Sequence, residues 1–173
     1  MKSIRVLAAA GALLLSFAPA SAAQQTIFVV RHAENAAATA APPAARAMMA
    51  DDPPLSAAGQ ARAAKLAALL VSADVKYIFT TEYRRARETA APLAAKRKLQ
   101  PVMSAAKDPD PLIERVRQVK GDVLIVGHSN TVPDLLKKLG VKQPVTIRDD
   151  EYDNLFIVVR PVTGAPTLIR LRY

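Results

Sequence analysis

The chain has 173 residues, no cysteine, no tryptophan, few aromatics and a formal net charge of +9. Without cysteine neither a disulfide framework nor a thiolate metal site is open to it, and the lack of aromatics interleaved with basic residues argues against a single-stranded nucleic-acid platform. The positive surplus points to an anionic partner: a phosphorylated substrate, a nucleic acid or an acidic envelope surface.

Residues 1–22 have the layout of a secretory signal peptide. Lys2 and Arg5 precede the apolar run "VLAAAGALLLSFA", and "ASA" at 20–22 is a small-residue cleavage signature. The run is short and no charged stop follows it, so a cleaved signal, a periplasmic or secreted location and no stable membrane insertion are expected. Cleavage after Ala22 leaves residues 23–173 at a formal +7, long enough for a single domain with its own core.

A first strand is expected at 26–30 in "TIFVV". An Ala/Pro-rich stretch over 35–54 has little to bury and is expected to be an exposed loop. Ser56 is placed to cap a helix running to 71, with Leu66, Leu69 and Leu70 on its buried face and Arg62 and Lys65 toward solvent. "YIFT" at 77–80 is a second buried strand, and 83–97 is an Arg-rich helix that Pro92 is expected to kink or shorten. "PVM" at 101–103 suits a brief edge strand, and 111–119 a helix introduced by Pro111. "DVLIVG" at 122–127 is the clearest buried strand. The helix at 131–139 takes Pro133 in its first turn and stops at Gly140. Strands at 155–160 and 167–173, separated by a Pro/Gly turn, form an antiparallel pair at one sheet edge. Strands alternating with helices predict an α/β fold, a three-layer α/β/α sandwich around a mostly parallel central sheet.

Both histidines of the chain occupy the same kind of place. His32 follows "IFVV" by one residue and His128 follows "LIVG" directly. Carboxyl ends of strands in open α/β sheets face the ligand crevice, so these two residues can meet across 96 positions of sequence. Arg31 adjoins His32, and Arg84, Arg85 and Arg87 follow the "YIFT" strand. A guanidinium offers a planar fork that matches phosphate oxygens and keeps its charge near neutral pH. Helical spacing alone does not say which of the three arginines turns inward.

Four segments resemble the histidine phosphatase superfamily, whose fold is phosphoglycerate mutase-like. "VVRHAEN" is similar to its Arg-His-Gly-Glu signature, "LSAAGQARA" to its "LT..G..QA" helix start, "FTTEYRRARETA" to its "RA..TA" segment, and "VGHSNTVPDLL" to its second-histidine segment. The resemblance implies that His32 is the nucleophile that becomes transiently phosphorylated, that Arg31 and Arg85 clamp the phosphoryl oxygens, and that His128 completes the pocket. It adds Asn130 as a weaker pocket residue and gives Glu34 a place in the signature, orienting the loop. It also implies a small phosphorylated substrate, no nucleic-acid partner, no cofactor and no metal.

Independent chemistry agrees with these roles. A histidine nucleophile must be neutral at its attacking nitrogen, so the other nitrogen should donate to a fixed acceptor, which a backbone carbonyl after the strand can supply. Phosphoryl transfer spreads negative charge over three oxygens, which fixed cationic donors stabilise. Two departures stand out. Ala33 replaces a glycine, which is acceptable where the backbone does not need positive φ. Ser129 stands where acid phosphatases of the superfamily carry Asp as the proton donor, which leaves Glu82 and Asp108 as possible general acids, with Asp110 and Glu114 further along. The short segment before "DVLIVG" leaves little room for the substrate-covering insert of a true mutase. The expected activity is therefore an exported, metal-independent phosphomonoesterase. A narrower phosphohistidine or sugar/glycolipid phosphate phosphatase and a non-catalytic phosphate-binding domain are the alternatives.

Overall fold

A strand buried on both faces has no polar alternation, and that is the pattern of "TIFVVR" and "DVLIVG". In the computed structural model, which describes residues 24–36 and 52–173, these two segments lie side by side at the centre of a six-stranded sheet. The strands are β1 (Gln25–Arg31), β2 (Val75–Thr81), β3 (Val102–Ser104), β4 (Asp122–Gly127), β5 (Asn154–Arg160) and β6 (Thr167–Arg172), in the order β3-β2-β4-β1-β5-β6. The first four pair in parallel; β5 runs antiparallel to β1, and β6 antiparallel to β5.

Helices α1 (Ala57–Leu70) and α2 (Arg84–Arg97) cover one face, and α3 (Asp110–Gln118) and α4 (Val132–Lys138) the other. Phe28, Val30, Leu124 and Val126 pack with Leu66 and Leu70 of α1 and Ala90 and Leu93 of α2. Their strand neighbours Ile27, Val29, Val123 and Ile125 pack with Leu112 and Val116 of α3 and Leu135 and Leu136 of α4. The period of two along each strand thus sends alternate residues into two cores, and the expected three-layer α/β/α sandwich results. Helices after β1 and β2 pass to one face and those after β3 and β4 to the other. Because β4 sits between β1 and β2, the crevice of such a sheet opens at the carboxyl ends of these three strands.

Local chemistry sets most boundaries as expected. Ser56 caps α1, its hydroxyl accepting from the Gly59 amide at 3.1 Å. Pro133 sits in the first turn of α4, and Gly140 follows its end with φ +96°. Three expectations are corrected. Leu69 is 52 % exposed, because the small residues Gly59, Ala63 and Ala67 draw the buried stripe of α1 narrowly around Leu66 and Leu70. Arg62 does not point to solvent but folds over Glu34. Pro92 does not shorten α2, which runs through it to Arg97. The signal segment 1–22 lies outside the described residues, as does most of the expected 35–54 loop. The ends of that loop meet, Asn35 bridging Leu55 and the Ala36 amide donating to the Pro54 carbonyl at 2.9 Å.

Candidate active site

Register brings the two histidines together. β1 pairs with β4 so that Arg31 faces Gly127, which makes His32 and His128 neighbours one step beyond both strands. The His32 amide continues the ladder by donating to the Gly127 carbonyl at 2.8 Å. The rings then meet at 5.1 Å between centroids, inclined at 63°. Both side chains are buried.

His32 is locked by its own loop. Its Nδ1 lies 2.8 Å from the Ala33 carbonyl, and since a carbonyl only accepts, Nδ1 carries the proton and Nε2 keeps its lone pair. The Ala33 amide donates to the Thr89 hydroxyl at 2.9 Å, and that hydroxyl donates to the Arg85 carbonyl at 2.7 Å, tying the loop to α2. Ala33 is fully buried, and its φ is not positive, so its methyl group is accommodated without strain. Burial pushes the His32 imidazole down to about 3. The Ala33 carbonyl opposes this, while His128, Arg85 and Arg31 reinforce it. His128 is likewise lowered to about 4, first by burial and then by Arg85. Both rings are neutral at pH 7. The His128 Nε2 lies 2.9 Å from the Thr81 hydroxyl, and the Tyr83 ring packs against the His128 ring at 5.2 Å between centroids, inclined at 83°.

The arginines are braced differently. Arg31 is buried, with Nη1 donating to the carbonyls of Arg148, Asp149 and Glu151 at 3.0, 2.9 and 3.1 Å and its guanidinium carbon 3.9 Å from the Tyr152 ring centre. Arg85 is the arginine of α2 that turns inward. It lies 4.2 Å from the Tyr83 ring centre and 3.6 Å from an Asp52 oxygen. Arg84 pairs outward with Glu88, and Arg87 donates to the Glu82 carbonyl. A cavity of about 340 Å³ is lined by His32, Tyr83, Arg85, Ala106, Lys107, His128, Ser129, Asn130 and Thr131. A larger groove of about 680 Å³ beyond the end of α4, between Pro133 and Val145, contains neither histidine nor arginine.

His32, Arg85, His128 and Asn130 therefore share one cavity; Arg31, the last residue of β1, is buried next to His32 in the chain but does not line it. The other three expected residues lie outside its lining. Glu34 takes two bonds at 2.9 Å from Arg62 Nε and one at 2.6 Å from Nη2. Burial raises the Glu34 carboxyl, but Arg62 more than offsets this and its pKa lies below the ordinary value. Glu82 accepts the Ala106 amide at 2.8 Å, and Asp108 accepts the Asp110 amide at 3.2 Å near the start of α3. Residues that sequence reasoning passed over are Thr81, Tyr83, Tyr152 and Lys107. Thr81 ends β2, Tyr83 lies just past it and Lys107 follows β3, so position at a strand's carboxyl end was the available signal. Tyr152 lies in an irregular segment that offered none. Among the described residues no group of three or more His, Cys, Asp or Glu side chains is placed to hold a metal ion, and no helix is long and apolar enough to cross a membrane.

Residues 27–107 match the family model of the histidine phosphatase superfamily (branch 1). That match covers just under half of the chain and supports phosphatase activity. Similar solved structures include the protein histidine phosphatase SixA complexed with tungstate, at 16 % identity and a TM-score of 0.64 over 85 % of this chain and 96 % of that one. A structure named mycobacterial hydrolase 2 matches at 15 % identity and 0.64, over 85 % and 89 %. A mycobacterial glucosyl-3-phosphoglycerate phosphatase matches at 14 % and 0.61, over 86 % and 97 %. At these identities the likeness is one of fold. No curated protein matches the chain in sequence.

Proposed function

We propose that this protein is an exported phosphomonoesterase that works through a phosphohistidine on His32 without a metal ion. The observation that carries the reading is the neutral His32, its Nδ1–H fixed to the Ala33 carbonyl so that Nε2 keeps its lone pair, in the lining of a cavity shared with Arg85 and His128. The Nε2 lone pair attacks phosphorus, the P–O bond to the leaving group breaks, and the departing oxygen keeps the electron pair. Water then attacks phosphorus, the N–P bond breaks, and inorganic phosphate leaves with His32 regenerated. Arg31, Arg85 and His128 meet the charge on the equatorial oxygens, which is the main contribution a protein makes to this chemistry. The cavity lining contains no carboxylate among the described residues. Substrates whose leaving group needs little protonation are therefore favoured, aryl esters and phosphoramidates such as phosphohistidine among them. Export rests on the leader-like residues 1–22.

The test is turnover of phenyl phosphate with and without chelator, for the wild type and for His32→Ala. Chelator-insensitive hydrolysis that falls on the order of 10³-fold or more in the variant supports the reading. If wild type and variant are equally inactive while both bind phosphate, the chain is a phosphate-binding domain instead.

A further inference from the structure

Lys107 is the one cavity-lining cation that the phosphoryl chemistry above does not use. It sits in the turn between β3 and α3, and both of its flanks are tied down. The Ala106 amide is held by the Glu82 carboxylate at 2.8 Å, and the Asp108 amide returns to the Ala105 carbonyl at 3.3 Å while its side chain accepts from Asp110. The lysine itself has no hydrogen-bond or ion-pair partner among the described residues. The other charged side chains near it are bound: Glu82 and Asp108 to backbone amides, Arg87 to a carbonyl, Arg85 to Asp52 and the Tyr83 ring. A fixed turn that brings a lysine, unpaired among the described residues, to the wall of a cavity whose described lining has no carboxylate is built to meet an anion.

We propose that Lys107 reads a second anionic group on the substrate, a carboxylate or a second phosphate carried by the same small molecule as the transferred phosphoryl group. The proposal rests on the phosphatase reading of the same cavity. The phosphoryl dianion is answered by Arg31 and Arg85, so the charge of Lys107 is left for the other end of the molecule. A cavity of about 340 Å³ lies at the lower end of the range for small-molecule sites, roughly 300–1,000 Å³, which suits a compact ester with both anions close together. In this role Glu82 positions the turn rather than donating a proton.

The experiment compares 3-carboxyphenyl phosphate with phenyl phosphate on the full chain, since the remote carboxylate changes the leaving group little. The wild type is expected to favour the carboxylated ester by about tenfold in kcat/KM, a preference that shrinks as salt is added. Lys107→Gln brings the ratio to within about twofold of unity, and Lys107→Glu inverts it in favour of 3-(aminomethyl)phenyl phosphate. Lys107 is exposed, so both variants should fold, which circular dichroism checks. A wild-type ratio near one, or a ratio unchanged in Lys107→Gln, overturns the proposal. The second result would show that Lys107 acts on the transferred phosphoryl group or on nothing. If neither ester is hydrolysed, the phosphatase reading fails by itself. The ratio of the two dissociation constants, measured by calorimetry on the same proteins, then decides the Lys107 proposal under the same thresholds.

Discussion

One methyl group at Gly59 tests whether α1 holds the catalytic loop in place. A Cβ at this buried helical position would lie 2.0 Å from the Glu34 carbonyl oxygen, 3.0 Å from its carbon and 3.1 Å from the Glu34 nitrogen. Ordinary contact is beyond 3.4 Å, so the backbone of Glu34 must move by more than 1 Å. That carbonyl also accepts the Ser56 amide at 2.9 Å and the Ser56 hydroxyl at 3.2 Å, so the displacement strains the cap of α1 as well. The peptide before it carries the Ala33 carbonyl that fixes His32. For Gly59→Ala, helix propensity favours the variant by about 1 kcal/mol. Overpacking opposes it by about 1–3 kcal/mol, and two weakened hydrogen bonds by about 1 kcal/mol each. The net expectation is a loss of about 2–4 kcal/mol in urea unfolding. A shift on the order of 1 Å in the nucleophile's loop lowers kcat on phenyl phosphate by roughly 10²-fold. The control is Ala64→Gly at an exposed position of the same helix, expected to lose about 1 kcal/mol and keep its kcat. Wild-type kcat together with raised stability in Gly59→Ala would refute the reasoning, since helix propensity would then have won and the loop would be free to yield.

Glu34→Gln keeps the shape of the Arg62 contact but removes its charge, and should cost about 1–2 kcal/mol at pH 7. The folded carboxyl titrates below its ordinary value, so its contribution is present above that value and fades as pH falls. The gap between wild type and variant in urea unfolding should therefore narrow from pH 7 to pH 4, and a constant gap would contradict the assignment. The histidines make a separate prediction. An unfolded chain takes up protons near pH 6.5, whereas the folded protein holds them off His128 until about 4 and His32 until about 3. The unfolded state is thus favoured as pH drops below 6.5, by up to about 1.4 kcal/mol per unit for each histidine. His32→Gln should flatten the fall between pH 7 and 5 measured by thermal or urea unfolding, and a wild-type curve already flat there would show both rings to be solvated.

What the sequence makes legible is whatever depends on neighbours in the chain. β1 and β4 are buried on both faces, so they appear as unbroken apolar runs, and a histidine just past each run marks the crevice without any knowledge of pairing. Ser56 and Gly140 announce the ends of helices through their own backbone chemistry. The rest depends on contacts across the fold. Arg62 at an apparently solvent-facing helical position is captured by Glu34, which lies 28 residues earlier. Glu82 reaches the Ala106 amide 24 residues on, and Tyr152 stacks on Arg31 from an irregular segment that no periodicity marks. Leu69 shows the limit within a single helix, since hydrophobicity alone does not tell where the small residues let the sheet approach.

The carboxylates explain why the site contains no obvious acid. Four lie around it, and each is engaged as an acceptor. Glu34 is forked onto Arg62, Asp52 takes the Arg84 amide at 2.7 Å on both oxygens and faces Arg85, Glu82 holds Ala106, and Asp108 holds Asp110. A general acid needs a protonated oxygen aimed at the leaving group, within hydrogen-bond reach of it. These side chains instead accept from amides and guanidinium groups, bracing the loop that carries His32, the start of the helix that carries Arg85 and the turn that carries Lys107. The same acidic residues that seemed in sequence to compete for proton transfer are thereby the struts of a cationic pocket. Under the phosphatase reading proposed above, such a pocket would stabilise the charge that develops on the phosphoryl group but would do little for a poor leaving group. On that reading the range of substrates would follow from this division of labour, with selectivity set by the anions a molecule carries and by how readily its leaving group departs unaided.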